Sequence, residues 1–301
     1  MPLSVSAAML LHVLLSAGTF LIAKVALASF EPAALAQLRF VIASAALVGL
    51  ALAGASGAPH TSRPAQTPRA PWPSRADWPV LVLLGLLGTT VNQGLFLFGL
   101  ARTRPAHAAL LYAMTPILVL CIAWLRGIER VEGRRALGVG LAFAGGVYLL
   151  SGRGFSFERA HVLGDALVFL AVVAWALYTV RSKELLTRIA PVPLTAWAMA
   201  VGTILFLPIG VPAVLRVDFT RIPTAAWIGL FYLALVTSVV SYLIWARALA
   251  RVDASRVAVF TNLQPIATAL LAWAFLGEGL TLHFVLAAAA VIAGVWMVER
   301  G

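Results

Sequence analysis

The sequence is poor in charged residues and almost lacks cysteine. Only 11% of its 301 residues are charged, and Cys121 is the single cysteine. One cysteine excludes an intrachain disulfide and a cysteine-based metal site. The five histidines are scattered, and no H-E-x-x-H, G-x-S-x-G or paired-carboxylate motif is present. These absences argue against a membrane-embedded enzyme, and we expect no cofactor and no metal.

Apolar residues instead make up 62% of the chain, and the mean hydropathy is +0.98. A soluble domain is about half apolar and about a quarter charged, so one core in water cannot bury this much apolar surface. The apolar runs are about twenty residues long, the length of a membrane-spanning helix, whereas barrel strands are about ten residues long and alternate. The sequence therefore predicts an all-α membrane protein with the lipid bilayer as its surroundings.

Ten segments are predicted to cross the membrane. They are residues 4–27, 33–54, 79–100, 106–125, 134–151, 161–182, 193–214, 224–246, 255–276 and 281–298. Residues 56–78 are rich in Pro, Ala, Ser and Arg, which predicts an irregular surface loop. Residues 1–10 contain no Lys or Arg, so we expect the first segment to be retained and not cleaved as a signal peptide.

The net charge of +11 lies mainly in the loops between these segments. This distribution is typical of a bias toward the cytoplasmic face, and we do not expect nucleic acid as a partner. With the N-terminus in the cytoplasm, the inner loops hold 14 Lys and Arg residues and the outer loops hold 6. The bias predicts that both termini are cytoplasmic and that the protein lies in a bacterial inner membrane.

The two halves of the chain share a sequence pattern. Moving residues 85–150 forward by 149 positions superimposes identical residues without a gap: Pro116 on Pro265, Glu129 on Glu278, Gly145 on Gly294 and Leu100 on Leu249. A shift of 159 positions places Lys24 on Lys183. Five segments per half is an odd number, so the second half enters the membrane from the opposite side. Residues 1–151 and 161–301 are therefore predicted to be inverted five-helix repeats, a common plan of secondary transporters.

Short motifs along the whole chain resemble a known family. They are Ser16-Ala17-Gly18-Thr19-Phe20, Glu31-Pro32, Leu38-Arg39-Phe40, Pro105-Ala106, Thr115-Pro116, Trp175-Ala176-Leu177-Tyr178, Asn262-Leu263-Gln264-Pro265, Leu276-Gly277-Glu278 and Gly294-Val295. In this order they resemble the drug/metabolite transporter superfamily, and specifically its EamA-type exporters. One departure is Ser16, which stands where the family often has Trp and indicates a roomier pocket near the first helix.

The resemblance implies an exporter of small organic metabolites. Bacterial exporters of amino acids look most similar, and the superfamily also includes drug, nucleotide-sugar and sugar-phosphate carriers. We predict an alternating-access carrier of neutral or aromatic amino acids, for which one chain holding both halves is expected to suffice as a monomer. A channel is less expected, because kinked helices in inverted halves suit alternating access better than an open pore.

Two prolines and a set of polar and aromatic residues are candidates for the transport path. Pro116 and Pro265 fall in the middle of predicted helices, where proline removes a backbone hydrogen bond, so they are predicted to be a pair of hinges. Polar side chains spaced three or four apart share one helix face and should turn away from lipid. The predicted substrate-binding residues are Lys24, Asn92, Gln93, Tyr112, Thr115, Trp175, Tyr178, Ser241, Tyr242, Thr261 and Gln264. The alternative for any one of them is a hydrogen bond between helices with no substrate role.

Buried charges bear on the driving force for transport. Lys24 and Arg39 are the charged residues that lie deepest in the predicted helices. One interpretation gives them a role in transport. The alternative is that they pair with Glu31 or extend their charged ends to the outer surface of the membrane. His12 is the candidate proton carrier at mid-helix depth, and it has no partner close in sequence. Facilitated diffusion is therefore preferred to proton-coupled antiport. Glu129 and its equivalent Glu278 are predicted to be structural, accepting hydrogen bonds at helix starts.

Overall fold

The computed structural model describes residues 2–56, 72–151, 161–267, 270 and 282–300. Throughout these ranges the chain forms helices joined by short connections, with no β-strand. We number the helices α1 to α10 in chain order and count a helix with an internal break as one. Their segments are Leu3–Ala17 and Thr19–Leu27 (α1), Pro32–Ser56 (α2), Trp78–Gly85, Leu86–Val91 and Asn92–Leu100 (α3), Pro105–Tyr112 and Thr115–Leu125 (α4), Gly133–Ser151 (α5), Val162–Leu185 (α6), Pro191–Val214 (α7), Thr224–Phe231, Tyr232–Ser241 and Tyr242–Leu249 (α8), Ala254–Ala258 and Val259–Leu263 (α9), and Leu282–Arg300 (α10).

Eight of the helices in the described ranges are long and apolar enough to cross a bilayer, namely α1 to α4, α6 to α8 and α10. Helix α5 has 19 residues, but it carries Arg134 and Arg135 in its first turn and is rich in glycine. The predicted segment 255–276 lies partly outside the described residues. Ten crossings, the inverted arrangement and cytoplasmic termini therefore stay predictions, whereas an all-helical membrane protein is confirmed.

The distribution of polarity is that of a protein surrounded by lipid. Large apolar side chains face outward along the helices, among them Leu14 at 56% exposure and Ile204 at 62%. Polar side chains such as Asn92, Thr115 and Asn262 are fully buried in the bundle. Because lipid tails compete with apolar packing, helices in a bilayer associate through close backbone approach and buried polar contacts.

Close approach is most evident where α5 packs along α10. A Cβ atom added to Gly294 would lie 2.5 Å from the Gly138 carbonyl oxygen and 2.5 Å from the Ala142 nitrogen. A Cβ on Gly138 would lie 2.8 Å from the Gly294 carbonyl oxygen. Only glycine permits this separation of the two backbones, so these residues set the spacing of the helix pair.

Helices α3 and α8 each contain a π-helical segment, Leu86–Val91 and Tyr232–Ser241. The first segment moved forward by 149 positions falls inside the second. A π segment interrupts the regular backbone hydrogen bonds of an α-helix. In both segments a side chain donates a hydrogen bond to a backbone carbonyl oxygen. The Tyr242 hydroxyl donates to the Gly88 carbonyl oxygen at 2.9 Å. The Ser238 hydroxyl donates to the Leu233 carbonyl oxygen at 3.0 Å.

Candidate functional site

A central cavity lies between six helices and holds about 570 Å³ of unfilled space, including its open mouth. Its wall combines aromatic rings with hydroxyl, amide and imidazole groups, and no acidic side chain of the described residues lines it. The lining residues are His12, Ser16, Thr19 and Phe20 from α1, Gln93 and Phe96 from α3, Tyr112 from α4, Trp175 from α6, Thr237, Ser241 and Tyr242 from α8, and Thr261 and Gln264 from α9.

Most of the residues predicted to bind substrate meet at this cavity. Those that line it are Gln93, Tyr112, Trp175, Ser241, Tyr242, Thr261 and Gln264. The structure places Asn92, Thr115 and Tyr178 behind the wall, buried and in contact with lining residues. Lys24 lies elsewhere, near the end of α3.

The residues behind the wall orient those that line it. The Asn92 amide donates to the Ala171 carbonyl oxygen at 2.7 Å and to the Tyr112 hydroxyl at 3.0 Å. The Gln93 amide nitrogen donates to the Asn92 amide oxygen. The Thr115 hydroxyl donates to the Tyr112 carbonyl oxygen at 2.6 Å. Asn92 and Thr115 therefore hold Tyr112 and Gln93 in position without lining the cavity themselves.

Aromatic rings form two clusters in the cavity wall and directly behind it. The Trp175 ring stacks on Tyr178 with centroids 5.0 Å apart, and it lies 5.1 Å from Tyr242 and 5.4 Å from Trp245. The second cluster consists of Phe20, Phe96 and Tyr112, with centroids 5.7–5.8 Å apart. Offset and edge-on contacts of this kind hold rings firmly, so the wall presents fixed apolar faces to a ligand.

The predicted substrate-binding residues include only Lys24 from α1, although Ser16 indicates a roomier pocket there and His12 is the candidate proton carrier. His12, Ser16 and Thr19 recur at spacings of four and three on an apolar helix, a signal that the sequence contains. The His12 Nδ1 atom lies 3.2 Å from the Ser241 carbonyl oxygen. The Thr19 and Thr237 hydroxyl oxygens are 3.2 Å apart. These contacts join α1 to α8 along the cavity.

The two predicted hinge prolines follow local breaks in their helices. Pro116 lies in the first turn of the segment Thr115–Leu125, directly after a turn that interrupts α4. Pro265 follows the 3-10 segment Val259–Leu263 of α9. A proline in a first helical turn removes no hydrogen bond, so the interruption precedes each proline and is not centred on it. Hinge motion at these positions stays a prediction.

The Lys24 ammonium is bound by backbone carbonyls. It donates to the carbonyl oxygens of Leu100 at 2.8 Å and Thr103 at 3.0 Å, at the end of α3. Carbonyl groups at a helix C-terminus carry partial negative charge and bind cations. Its predicted equivalent Lys183 donates in the same way, at 2.8 Å, to the carbonyl oxygens of Leu249 and Val252 at the end of α8.

We expect Lys24→Met to destabilise the protein without changing substrate affinity. Loss of the charged hydrogen bonds at a half-exposed site should lower the free energy of unfolding by about 1 kcal/mol. Thermal unfolding in detergent and the KM for uptake are the two measurements, with Lys183→Met as the matched variant. A several-fold higher KM for Lys24→Met, but not for Lys183→Met, would restore Lys24 as a substrate-binding residue.

Glu129 accepts hydrogen bonds at a helix start, although the helix is α9 and not α5. Its carboxylate accepts from the Ala254 nitrogen at 2.6 Å, the Ser255 nitrogen at 3.2 Å and the Ser255 hydroxyl. The Arg135 guanidinium lies 3.4 Å from the same carboxylate. Glu129 therefore links the α4–α5 connection to the start of α9 through these hydrogen bonds. The equivalent Glu278 lies outside the described residues.

Comparison with known proteins matches the chain along its full length. The EamA-like transporter family matches residues 3–151 and 162–300. An uncharacterized transporter of Archaeoglobus fulgidus is 30% identical over 288 residues, covering 95% of this chain and 94% of that protein. The uncharacterized transporter YyaM of Bacillus subtilis is 28% identical over 281 residues, covering 92% and 87%. The probable terminal-alkyne amino-acid exporter of Streptantibioticus cattleyicolor is 27% identical over 293 residues, covering 97% and 92%.

A solved crystal structure supports the fold. It superimposes with a TM-score of 0.75 over 99% of this chain and 96% of its own, at 22% identity. The helical bundle and its relatives thus define a multi-pass membrane transporter with a small-molecule substrate. The chain belongs to the EamA-like transporter family, and the resemblance drawn from its motifs is confirmed. Membership of this family points to a transporter and not to an enzyme.

Proposed function

We propose that the protein is an alternating-access carrier that exports small organic metabolites from a bacterial cell, with neutral or aromatic amino acids as its main substrates. The observation that carries the proposal is the central cavity, whose wall combines aromatic rings with hydroxyl, amide and imidazole groups and is built from six helices. Such a wall suits an amphipathic molecule with an apolar body and a polar end. The name of the Streptantibioticus cattleyicolor relative supports amino acids as a substrate class.

Alternating access is supported by features that recur in both halves. The π segments of α3 and α8 overlap under a shift of 149 residues. Lys24 and Lys183 bind equivalent carbonyl pairs at the ends of those two helices. Two similar halves around one central site can exchange conformations, which opens the site to each side in turn.

The proposed transport mechanism is facilitated diffusion down the concentration gradient of the substrate. No Asp or Glu of the described residues lines the cavity, although proton-coupled carriers use such groups in the membrane interior. A proton-coupled drug/metabolite antiporter is the second candidate, because His12 is a titratable ring at the cavity wall.

The test is uptake of radiolabelled neutral amino acids into proteoliposomes holding the purified protein, with and without a pH gradient. We expect saturable uptake that unlabelled amino acids compete with and that the gradient does not change. Uptake that follows the gradient would support the antiporter instead. Counterflow of labelled substrate separates a carrier from a channel. Uptake no higher than in empty vesicles, from a preparation with a cooperative unfolding transition, would contradict the amino-acid assignment.

A further inference from the structure

Arg39 is a completely buried cation inside the helix bundle. It lies two turns into α2, and its side chain is 0% exposed. Its Nε atom donates to the Ser238 hydroxyl at 2.8 Å and to the Leu233 carbonyl oxygen at 3.1 Å. Both terminal nitrogens, Nη1 and Nη2, lack a hydrogen-bond partner among the described residues. The hydrogen bonds within the bundle therefore use only one of the three guanidinium nitrogens.

The bundle offers Arg39 no counter-ion in the ranges that the structure describes. The acidic residues there lie in connections or in the end turns of helices: Glu31, Asp77, Glu129, Glu132, Asp165, Glu184, Asp218, Asp253 and Glu299. Burying a cation without an anion is costly in any low-dielectric interior. A fold that only needed a hydrogen bond to the Leu233 carbonyl could obtain it from Ser238, whose hydroxyl already donates there at 3.0 Å. The charge of Arg39 thus calls for a functional account.

Arg39 lies one side-chain layer behind the central cavity. Its partner Ser238 directly follows Thr237, which lines the cavity, and precedes Ser241, which also lines it. The guanidinium group is within electrostatic reach of the Tyr112 and Tyr242 hydroxyls, both in the cavity wall. Since the intervening material is protein and not bulk water, the positive potential extends into the cavity with little screening.

We infer that Arg39 selects substrates that carry a carboxylate. The negative group of a substrate in the cavity acts as the counter-ion that the bundle lacks, across the one layer of side chains that separates it from Arg39. The same charge repels a substrate that is only cationic, because no described acidic side chain lines the cavity to offset it. The inference rests on the proposed function and narrows it: amino acids and other apolar carboxylates are carried, whereas amines and cationic drugs are not.

Ligand binding to the wild-type protein provides the first test and avoids any effect of mutation on folding. The probes are L-phenylalanine with its amide and 3-phenylpropionate with phenethylamine, so each pair shares a ring and differs in the carboxylate. Binding is followed by thermal stabilisation of the protein in detergent. We expect each carboxylate to bind at least about tenfold more tightly than its partner. Equal binding within the pairs, tighter binding of the amines, or no binding of either carboxylate would overturn the inference.

Variants then assign the discrimination to Arg39. Arg39→Gln is expected to lose the tenfold preference for carboxylates, and Arg39→Lys to retain a part of it, because lysine keeps the positive charge but carries it on a flexible, more strongly hydrated ammonium. Lys183→Met removes a cation that binds the end of α8, remote from this charge, and should leave the preference intact. If Arg39→Gln is folded and keeps the full preference, Arg39 is a structural residue only.

Transport measurements separate this inference from the proposed function. Carboxylates that bind but are not taken up into proteoliposomes would contradict the carrier and leave the assignment of Arg39 intact. Uptake of phenylalanine amide as fast as phenylalanine would contradict the assignment of Arg39 and leave the carrier intact.

Discussion

Replacing Glu129 with alanine is expected to lower the free energy of unfolding by about 3 kcal/mol or more. The carboxylate is 3% exposed, and the Arg135 side chain beside it is 6% exposed. Breaking a buried ion pair costs about 3–5 kcal/mol when the remaining charge has no other partner. Arg135 keeps the half-exposed Asp253 carboxylate at 3.3 Å, which offsets part of this loss. The variant also leaves the amide groups of Ala254 and Ser255 without their acceptor.

The control is Glu184→Ala, which removes a carboxylate on the same side of the bundle from an exposed pair. Glu184 and its partner Arg126 are 31% and 42% exposed, and such pairs contribute about 0.2–1 kcal/mol. Glu129→Gln should fall between the two, because the amide oxygen still accepts hydrogen bonds. Thermal unfolding in detergent measures all three variants. Equal transition temperatures for Glu129→Ala and Glu184→Ala would show that the buried network does not hold α9.

The same variant should also impair transport in molecules that remain folded. Glu129 fixes the start of α9, and α9 supplies Thr261 and Gln264 to the cavity. Release of that helix end changes the position of both side chains. We expect a higher KM for uptake at a temperature where the variant is still folded, and wild-type uptake under those conditions would count against this coupling.

The predicted substrate-binding residues that line the cavity share a simple signal. Gln93, Tyr112 and Ser241 are polar or amphipathic residues inside long apolar runs, where the bilayer penalises any outward-facing hydrogen-bonding group. The bilayer alone requires these side chains to face the interior of the protein, so their inward orientation can be predicted without knowing the tertiary structure. Their meeting at one cavity does require the fold, and only the structure supplies it.

Not every buried polar residue of α3 and α8 lines the cavity. In α8 the cavity receives Thr237 and Ser241, which are four residues apart, whereas Ser238 turns toward Arg39. Thr89 in α3 likewise donates to the Met199 sulfur at 3.3 Å and does not line the cavity. Residue spacing places a polar group on an inward face, but it does not separate a cavity contact from a contact between helices.

The placement of Lys24 could not be predicted for a different reason. A cation deep in an apolar helix indicates a polar partner but does not identify it. The partners here are backbone carbonyls at the end of α3, such as that of Leu100, and every residue type has a carbonyl. Contacts of this kind depend on where helices end in space, which sequence patterns fix only within a few residues.

Replacing Gly138 with leucine is expected to separate α5 from α10 and to lower the free energy of unfolding by about 3 kcal/mol. A Cβ atom at this position would lie 2.8 Å from the Gly294 carbonyl oxygen and 2.9 Å from the Met297 Cβ atom. The first of these neighbours is backbone, which cannot move aside as a flexible side chain can. Overpacking of this kind typically costs about 1–3 kcal/mol, and a bulky leucine against backbone lies at the upper end.

Gly140→Leu is the matched control, because it makes the same change two residues along the same helix. Gly140 is exposed, and nothing lies within 4 Å of its added Cβ. Leucine is the better helix former by nearly 1 kcal/mol, so this variant should be as stable as the wild type or slightly more so. Both proteins are compared by thermal unfolding in detergent. A loss of stability in both would mean that the α5 backbone tolerates no leucine at all, whereas a loss in neither would mean that α5 and α10 do not pack through Gly138 and Gly294.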